Sequence, residues 1–95
     1  MIAGKRTFSD LRKEILLCLS TGQHTINQLS YETRINWRTV ELHLTYLVGK
    51  GLIREAFSSK YARVFELSEL GVNYIQLFGV HNVHRNDIVR REIRL

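Results

Sequence analysis

Proline is absent from these 95 residues, and cysteine, methionine and tryptophan occur once each. Without proline, low-complexity runs or internal repeats the chain offers no cut point, so one domain is expected. The lone Cys18 excludes an internal disulfide framework and suits a reducing compartment. No apolar run approaches the ~20 residues that span a bilayer. Residues 1–6 lack the apolar core of a secretory signal, so a cytoplasmic location with no membrane partner is expected. Also missing are a glycine-rich phosphate loop, a paired-acid motif and a nucleophile–base arrangement. Their absence argues against an enzyme and leaves no small-molecule substrate evident.

Acidic residues are scarce: nine Asp and Glu face fourteen Lys and Arg, for a net charge of +5. Such an excess favours polyanionic partners, nucleic acid ahead of an anionic membrane surface. Most of it lies in the middle third. Residues 34–63 carry +4, from Arg34, Arg38, Lys50, Arg54, Lys60 and Arg63 against Glu41 and Glu55. The 44% of hydrophobic residues is too high for a disordered chain. A chain of this length still buries only ~60–65% of its unfolded surface, so oligomerisation would help it.

Helical spacing of Leu11, Ile15, Leu16 and Leu19, with Ser9 as N-cap and Gly22 as stop, predicts a first helix at about 10–20. Cys18 within it reads as a small core hydrophobe of raised pKa. Thr25-Ile26-Asn27-Gln28 fits a capping box and opens a short helix ending near Glu32. Asn36 caps the next helix, Trp37 to about Lys50, with Ile35 and Val40 as its hydrophobic staple and Gly51 beyond its end. At 100° per residue, Trp37, Val40, Leu44, Leu47 and Val48 form the core face, with His43 at its edge as a partly buried polar contact. Opposite lie Arg38, Leu42, Thr45, Tyr46 and Gly49, flanked by Thr39 and Glu41. Strands are expected at 52–56 and 61–67, with Phe57-Ser58-Ser59-Lys60 as the hairpin loop and Phe65 and Leu67 inward. Ser68 caps a last helix with a core stripe of Leu70, Tyr74, Leu77 and Phe78; Val72 and Ile75 give it a second apolar face. The tail from Gly79 fits a helix or a strand.

This order specifies a helix-turn-helix with a β-hairpin wing. The stretches Thr25-Ile26-Asn27-Gln28-Leu29-Ser30, Asn36 to Leu44, Leu47-Val48-Gly49-Lys50-Gly51-Leu52-Ile53 and Phe65-Glu66-Leu67-Ser68-Glu69-Leu70-Gly71 carry a resemblance over residues 9–78. The chain resembles the winged-helix DNA-binding superfamily, especially small MarR-, ArsR- and PadR-like transcription regulators of bacteria, archaea and archaeal viruses. It departs at Arg34, where the family often has glycine in the helix–helix turn. A left-handed residue there costs on the order of 1 kcal/mol without glycine.

The resemblance implies a mainly α fold with a small hairpin, in the order α-(β)-α-α-β-β-α plus a C-terminal arm. It divides the chain into an extension (1–8), the winged helix (9–78) and a possible dimerisation arm (79–95). A major groove ~12 Å wide admits one helix, and the helix from Asn36 has a face free to enter it. Arg38 suits a bidentate contact to guanine, Leu42 a thymine methyl, and Thr45 a phosphate or base edge. Tyr46 and Thr39, with the first amides of that helix, suit phosphates. Asn36, Trp37 and Glu41 complete the set, although Trp37 is expected to pack rather than stack on bases. At the wing, Ser58, Ser59, Lys60 and Arg63 offer hydroxyls and charge to the backbone or minor groove.

A homodimer is expected, built from Phe8, Val72, Ile75, Ile88, Val89, Ile93 and Leu95, and it would read a pseudo-palindromic site as a transcription repressor. Two other readings stay open: a protein-docking module using Leu42 and Tyr46, and a sequence-nonspecific architectural DNA binder. His81 and His84 are spaced for a shared metal, but beyond Asp87 no third ligand is nearby. Cys18 and His24 are distant in sequence, and the cysteine-rich motif of ArsR-type sensors is missing. No metal and no cofactor are therefore expected.

Overall fold

Reciprocal caps open the first two of four helices in the computed structural model, which describes residues 6–78. Helix α1 (Phe8–Leu19) starts earlier than the spacing predicted, because Thr7 rather than Ser9 is its cap. Thr7 Oγ1 accepts from Asp10 N at 3.0 Å and Asp10 Oδ2 accepts from Thr7 N at 3.1 Å. A cap at Ser9 would place Arg12 three residues on, and a guanidinium accepts nothing. Strand β1 (His24–Thr25) leads straight into α2 (Ile26–Thr33), where Thr25 and Gln28 close the expected capping box.

Between α2 and α3 (Trp37–Gly49) the chain turns through Arg34, at φ 62° and ψ 31°. The turn does adopt the left-handed backbone, without glycine. It is held from outside: Arg6 donates to the carbonyls of Thr33 (3.0 Å) and Arg34 (3.1 Å). Asn36 Oδ1 accepts from the amides of Arg38 and Thr39 and caps α3. Ile35 and Val40 are both buried beside it, as a staple requires.

Strands β2 (Ile53–Ser58) and β3 (Arg63–Leu67) form the hairpin, with a register irregularity between Glu55 and Phe57. The expected loop at 57–60 shifts to 59–62, because the irregularity extends β2 through Ser58. There Ser59 N donates to Ala62 O, while Ser59 Oγ accepts from the amides of Tyr61 and Ala62. Strand β1 pairs antiparallel with β3, His24 opposite Phe65, giving the sheet order β1-β3-β2.

Helix α4 (Glu69–Phe78) is rotated from the expected stripe. Gly71 and Ile75 face inward, whereas Leu70 (54% exposed) and Leu77 (72%) do not. The cause is close approach of backbones: a Cβ on Gly71 would lie 2.0 Å from the Leu52 carbonyl oxygen. The helix docks at its one residue without a side chain, and Ile75, one turn on, follows it in. Ile75 was expected at a dimer interface; it belongs to the chain's own core. The core otherwise gathers Ile15, Leu16 and Leu19 of α1, Ile26 and Leu29 of α2, Val40, Leu44 and Leu47 of α3, Ile53 and Phe65. Residues 79–95, with Ile88, Val89, Ile93 and Leu95, lie outside the described residues, as does the Phe78 side chain.

Candidate nucleic-acid interface

Helix α3 is fixed from behind by Val40, His43, Leu44 and Leu47, each at most 2% exposed. This arc differs from the predicted one. His43 is fully buried rather than marginal, while Trp37 (46% exposed) and Val48 (44%) are not in the core. On a helical wheel the buried set is displaced from Trp37 and Val48 toward His43, away from the hairpin. Helix α1 explains the displacement. The Phe8 ring meets the His43 imidazole edge-on at 5.0 Å, and Arg12 Nε donates to His43 Nδ1 at 3.2 Å. Burial, then the Arg12 charge, holds the His43 pKa below its usual value. Its Nε2 is buried with no partner among the described residues.

On the outer face Arg38, Leu42, Thr45 and Tyr46 are exposed, as the spacing required. The Arg38 side chain makes no hydrogen bond or ion pair among the described residues, so its guanidinium is uncommitted. Leu42 is 60% exposed, an apolar side chain set in a polar stripe. Thr45 Oγ1 donates to the Glu41 carbonyl within the helix, which leaves its lone pairs outward. Thr39 and Glu41 are half-buried at the flanks. Asn36 has its carboxamide oxygen occupied by the cap, leaving only the amide nitrogen to reach outward.

The wing stands beside this face. Trp37 with Thr25, Ile26 and Asn27 on one side, and Ser59 to Arg63 on the other, line a groove of about 280 Å³. A second groove runs between Glu41, Thr45 and Val48 of α3 and Glu55 and Arg63 of the hairpin. Arg63 is not a free cation: its Nε and Nη2 donate to the Glu55 carboxylate at 2.7 and 3.2 Å. That pairing, hydrogen bonding first, lowers the Glu55 pKa and raises that of Arg63. Lys60, at the tip, has no ion pair among the described residues and lies 5.5 Å from the exposed Tyr61 ring. Ser58 is exposed, whereas the Ser59 hydroxyl is spent on the turn.

Sequence reasoning passed over Arg12. Its guanidinium lies 3.6 Å from the Tyr46 ring centroid, with Lys50 Nζ 5.7 Å from the same ring. Nothing local in the sequence marks a contact across 34 residues. Asn27 and Tyr61, in the groove beside Trp37, were missed for the same reason.

This geometry can be set against known proteins. The sequence profile described as bacterial regulatory protein, arsR family, matches residues 5–55. The chain belongs to that family. The fold of this ArsR-family chain also matches solved winged-helix regulators. Lactococcus lactis ZitR, a double mutant in apo form, superposes with a TM-score of 0.73 at 16% identity, over 88% of this chain and 65% of that one. The adhesin competence repressor AdcR of Streptococcus pyogenes gives 0.72 at 21%, over 95% and 67%. The transcriptional regulator BldR of Sulfolobus solfataricus gives 0.67 at 20%, over 90% and 61%. The ArsR-family chain thus spans about two thirds of their lengths. No curated protein sequence matches it significantly. The expected α+β winged helix is the observed one. Among the described residues, no helix is long and apolar enough to cross a membrane.

Proposed function

We propose that this ArsR-family regulator reads duplex DNA in a sequence-specific manner as a homodimer and acts as a repressor. The observation that carries the reading is the stripe Arg38–Leu42–Thr45: exposed among the described residues, backed by a buried core and flanked by the wing. Helix α3 enters the major groove, with Arg38 on a guanine edge and Leu42 on a thymine methyl. Asn36, Trp37, Thr39, Glu41, Thr45 and Tyr46 border that contact. Lys60, with Ser58, Ser59 and the partly neutralised Arg63, meets the flanking backbone. Repression follows from occupying a site that polymerase needs.

A dimer doubles the phosphate contacts and sets two reading helices one helical turn apart, ~34 Å. Exposed apolar residues support it: Leu70 and Leu77 on one face of α4, Val72 on another, and Phe8 on α1. Selection of bound duplexes from a random pool at physiological salt tests the whole reading. An enriched inverted repeat is expected. A pool that stays random points to architectural binding, and binding indifferent to salt points to apolar docking instead. Light scattering at micromolar concentration should exceed the 11.1 kDa of one chain.

A further inference from the structure

The end of α1, the start of β1 and the last turn of α2 meet behind the helix-turn-helix. Three side chains converge there: Cys18, His24 and Glu32. Cys18 Sγ lies 3.3 Å from Glu32 Oε1, and His24 Nε2 lies 3.4 Å from that same oxygen. All three ligand atoms fall within 4.8 Å of one another. Sequence reading set Cys18 and His24 aside because both are far in sequence from the His81 and His84 pair, and it did not consider Glu32 as a ligand.

The imidazole is already oriented. His24 Nδ1 sits 2.8 Å from the Gly22 carbonyl, which can only accept, so the proton is on Nδ1. Nε2 is thereby turned toward the Glu32 carboxylate, beside the space the Cys18 sulfur also reaches. A ring nitrogen held by a backbone carbonyl while the other faces a carboxylate and a thiol is how a metal-bound histidine is typically arranged.

Two of the three ligand separations agree with this reading. Zinc takes sulfur at about 2.3 Å and nitrogen or oxygen at about 2.0 Å, so a tetrahedron has sulfur–oxygen edges of about 3.5 Å and nitrogen–oxygen edges of about 3.3 Å. The two separations to Glu32 are already near those values. His24 is buried, Cys18 half-buried, and the Glu32 side chain open to solvent, so a cation can arrive from the Glu32 side.

We propose that Cys18, His24 and Glu32 form a three-ligand site for a thiophilic divalent cation, zinc by its geometry, with a fourth position open. On binding, the Cys18 thiol releases its proton to solvent and the sulfur binds as thiolate. Without the cation, burial and the neighbouring Glu32 push that thiol up to about 12, which keeps it protonated and unreactive. The occupied site ties α1 and α2 to β1, whose partner strand β3 belongs to the wing.

Cobalt(II) titrated into the full-length reduced protein is the direct test and needs no DNA, so it stands apart from the functional reading. One equivalent should give a thiolate-to-cobalt charge-transfer band with tetrahedral visible absorption, displaced by zinc. Cys18→Ser should abolish the band; His24→Gln and Glu32→Gln should each weaken cobalt binding roughly tenfold or more. Zinc should raise the unfolding temperature of the parent but not of Cys18→Ser. Glu32 is exposed, so Glu32→Gln keeps the fold and the comparison decisive. No charge-transfer band in the parent overturns the proposal. So does binding that persists undiminished in both His24→Gln and Glu32→Gln, which would place the cation on other ligands.

Discussion

Arg12, on α1, lays its guanidinium 3.6 Å from the centroid of the Tyr46 ring on α3. The same side chain donates to His43 Nδ1 at 3.2 Å, so one planar group clamps the rear and one flank of α3. Arg12→Ala removes a cation–π contact worth ~0.5–1 kcal/mol and a hydrogen bond worth ~0.5–1.5 kcal/mol. Urea unfolding should show a loss of about 1–2 kcal/mol. Arg12→Lys should recover little of it, because an ammonium cannot stack flat and donate sideways at once.

Arg38 and Lys60 should separate by kind of effect. Arg38→Ala is expected to relax preference at one or two base positions, by ~1–3 kcal/mol each, in competition binding with single-base variants. Lys60→Ala should weaken all duplexes alike and reduce the salt slope by about 0.9. Equal loss on every sequence for both variants would contradict base reading by α3.

His43 makes stability depend on pH in a definite direction. Its folded pKa lies below the ordinary 6.5, so the unfolded chain takes up a proton first as pH falls. The contribution is complete above 6.5 and is lost progressively as pH drops from there toward the folded value. His43→Gln should flatten that part of the profile when denaturant midpoints are compared on both sides of 6.5.

Two glycines should respond with opposite signs to alanine. At Gly71 the added carbon meets the Leu52 carbonyl at 2.0 Å, so Gly71→Ala should cost ~1–3 kcal/mol by overpacking. At Gly49 nothing lies within 4 Å, and Gly49→Ala should gain up to ~1 kcal/mol from helix propensity. Thermal unfolding of the two single variants checks the pair.

What was legible in the sequence was what is local. Thr25 with Gln28, and Asn36 with Ile35 and Val40, announced the starts of α2 and α3 because caps and staples act within one turn. The exposed face of α3 followed, since Arg38, Leu42 and Thr45 needed only the helical period. Helix α4 was misplaced because it is apolar on two sides, and only the contact of Gly71 with Leu52 decides between them. The buried arc of α3 was displaced for a similar reason. Periodicity cannot know that Phe8 and Arg12 cover the His43 side while the hairpin leaves Trp37 open. Ser59 and Arg63 were read as free donors, but Tyr61, Ala62 and Glu55 engage them first.

Strand β1 is two residues long, yet it pairs with β3 and continues without a break into α2 at Thr25. Hairpin and helix pair are therefore tied by strand pairing as well as by the connecting chain. On the proposed reading, a double helix would meet the two as one unit. Where groove width does not suit it, the nucleic acid has to do the yielding, and pliable base steps beyond the reach of any side chain would then be favoured.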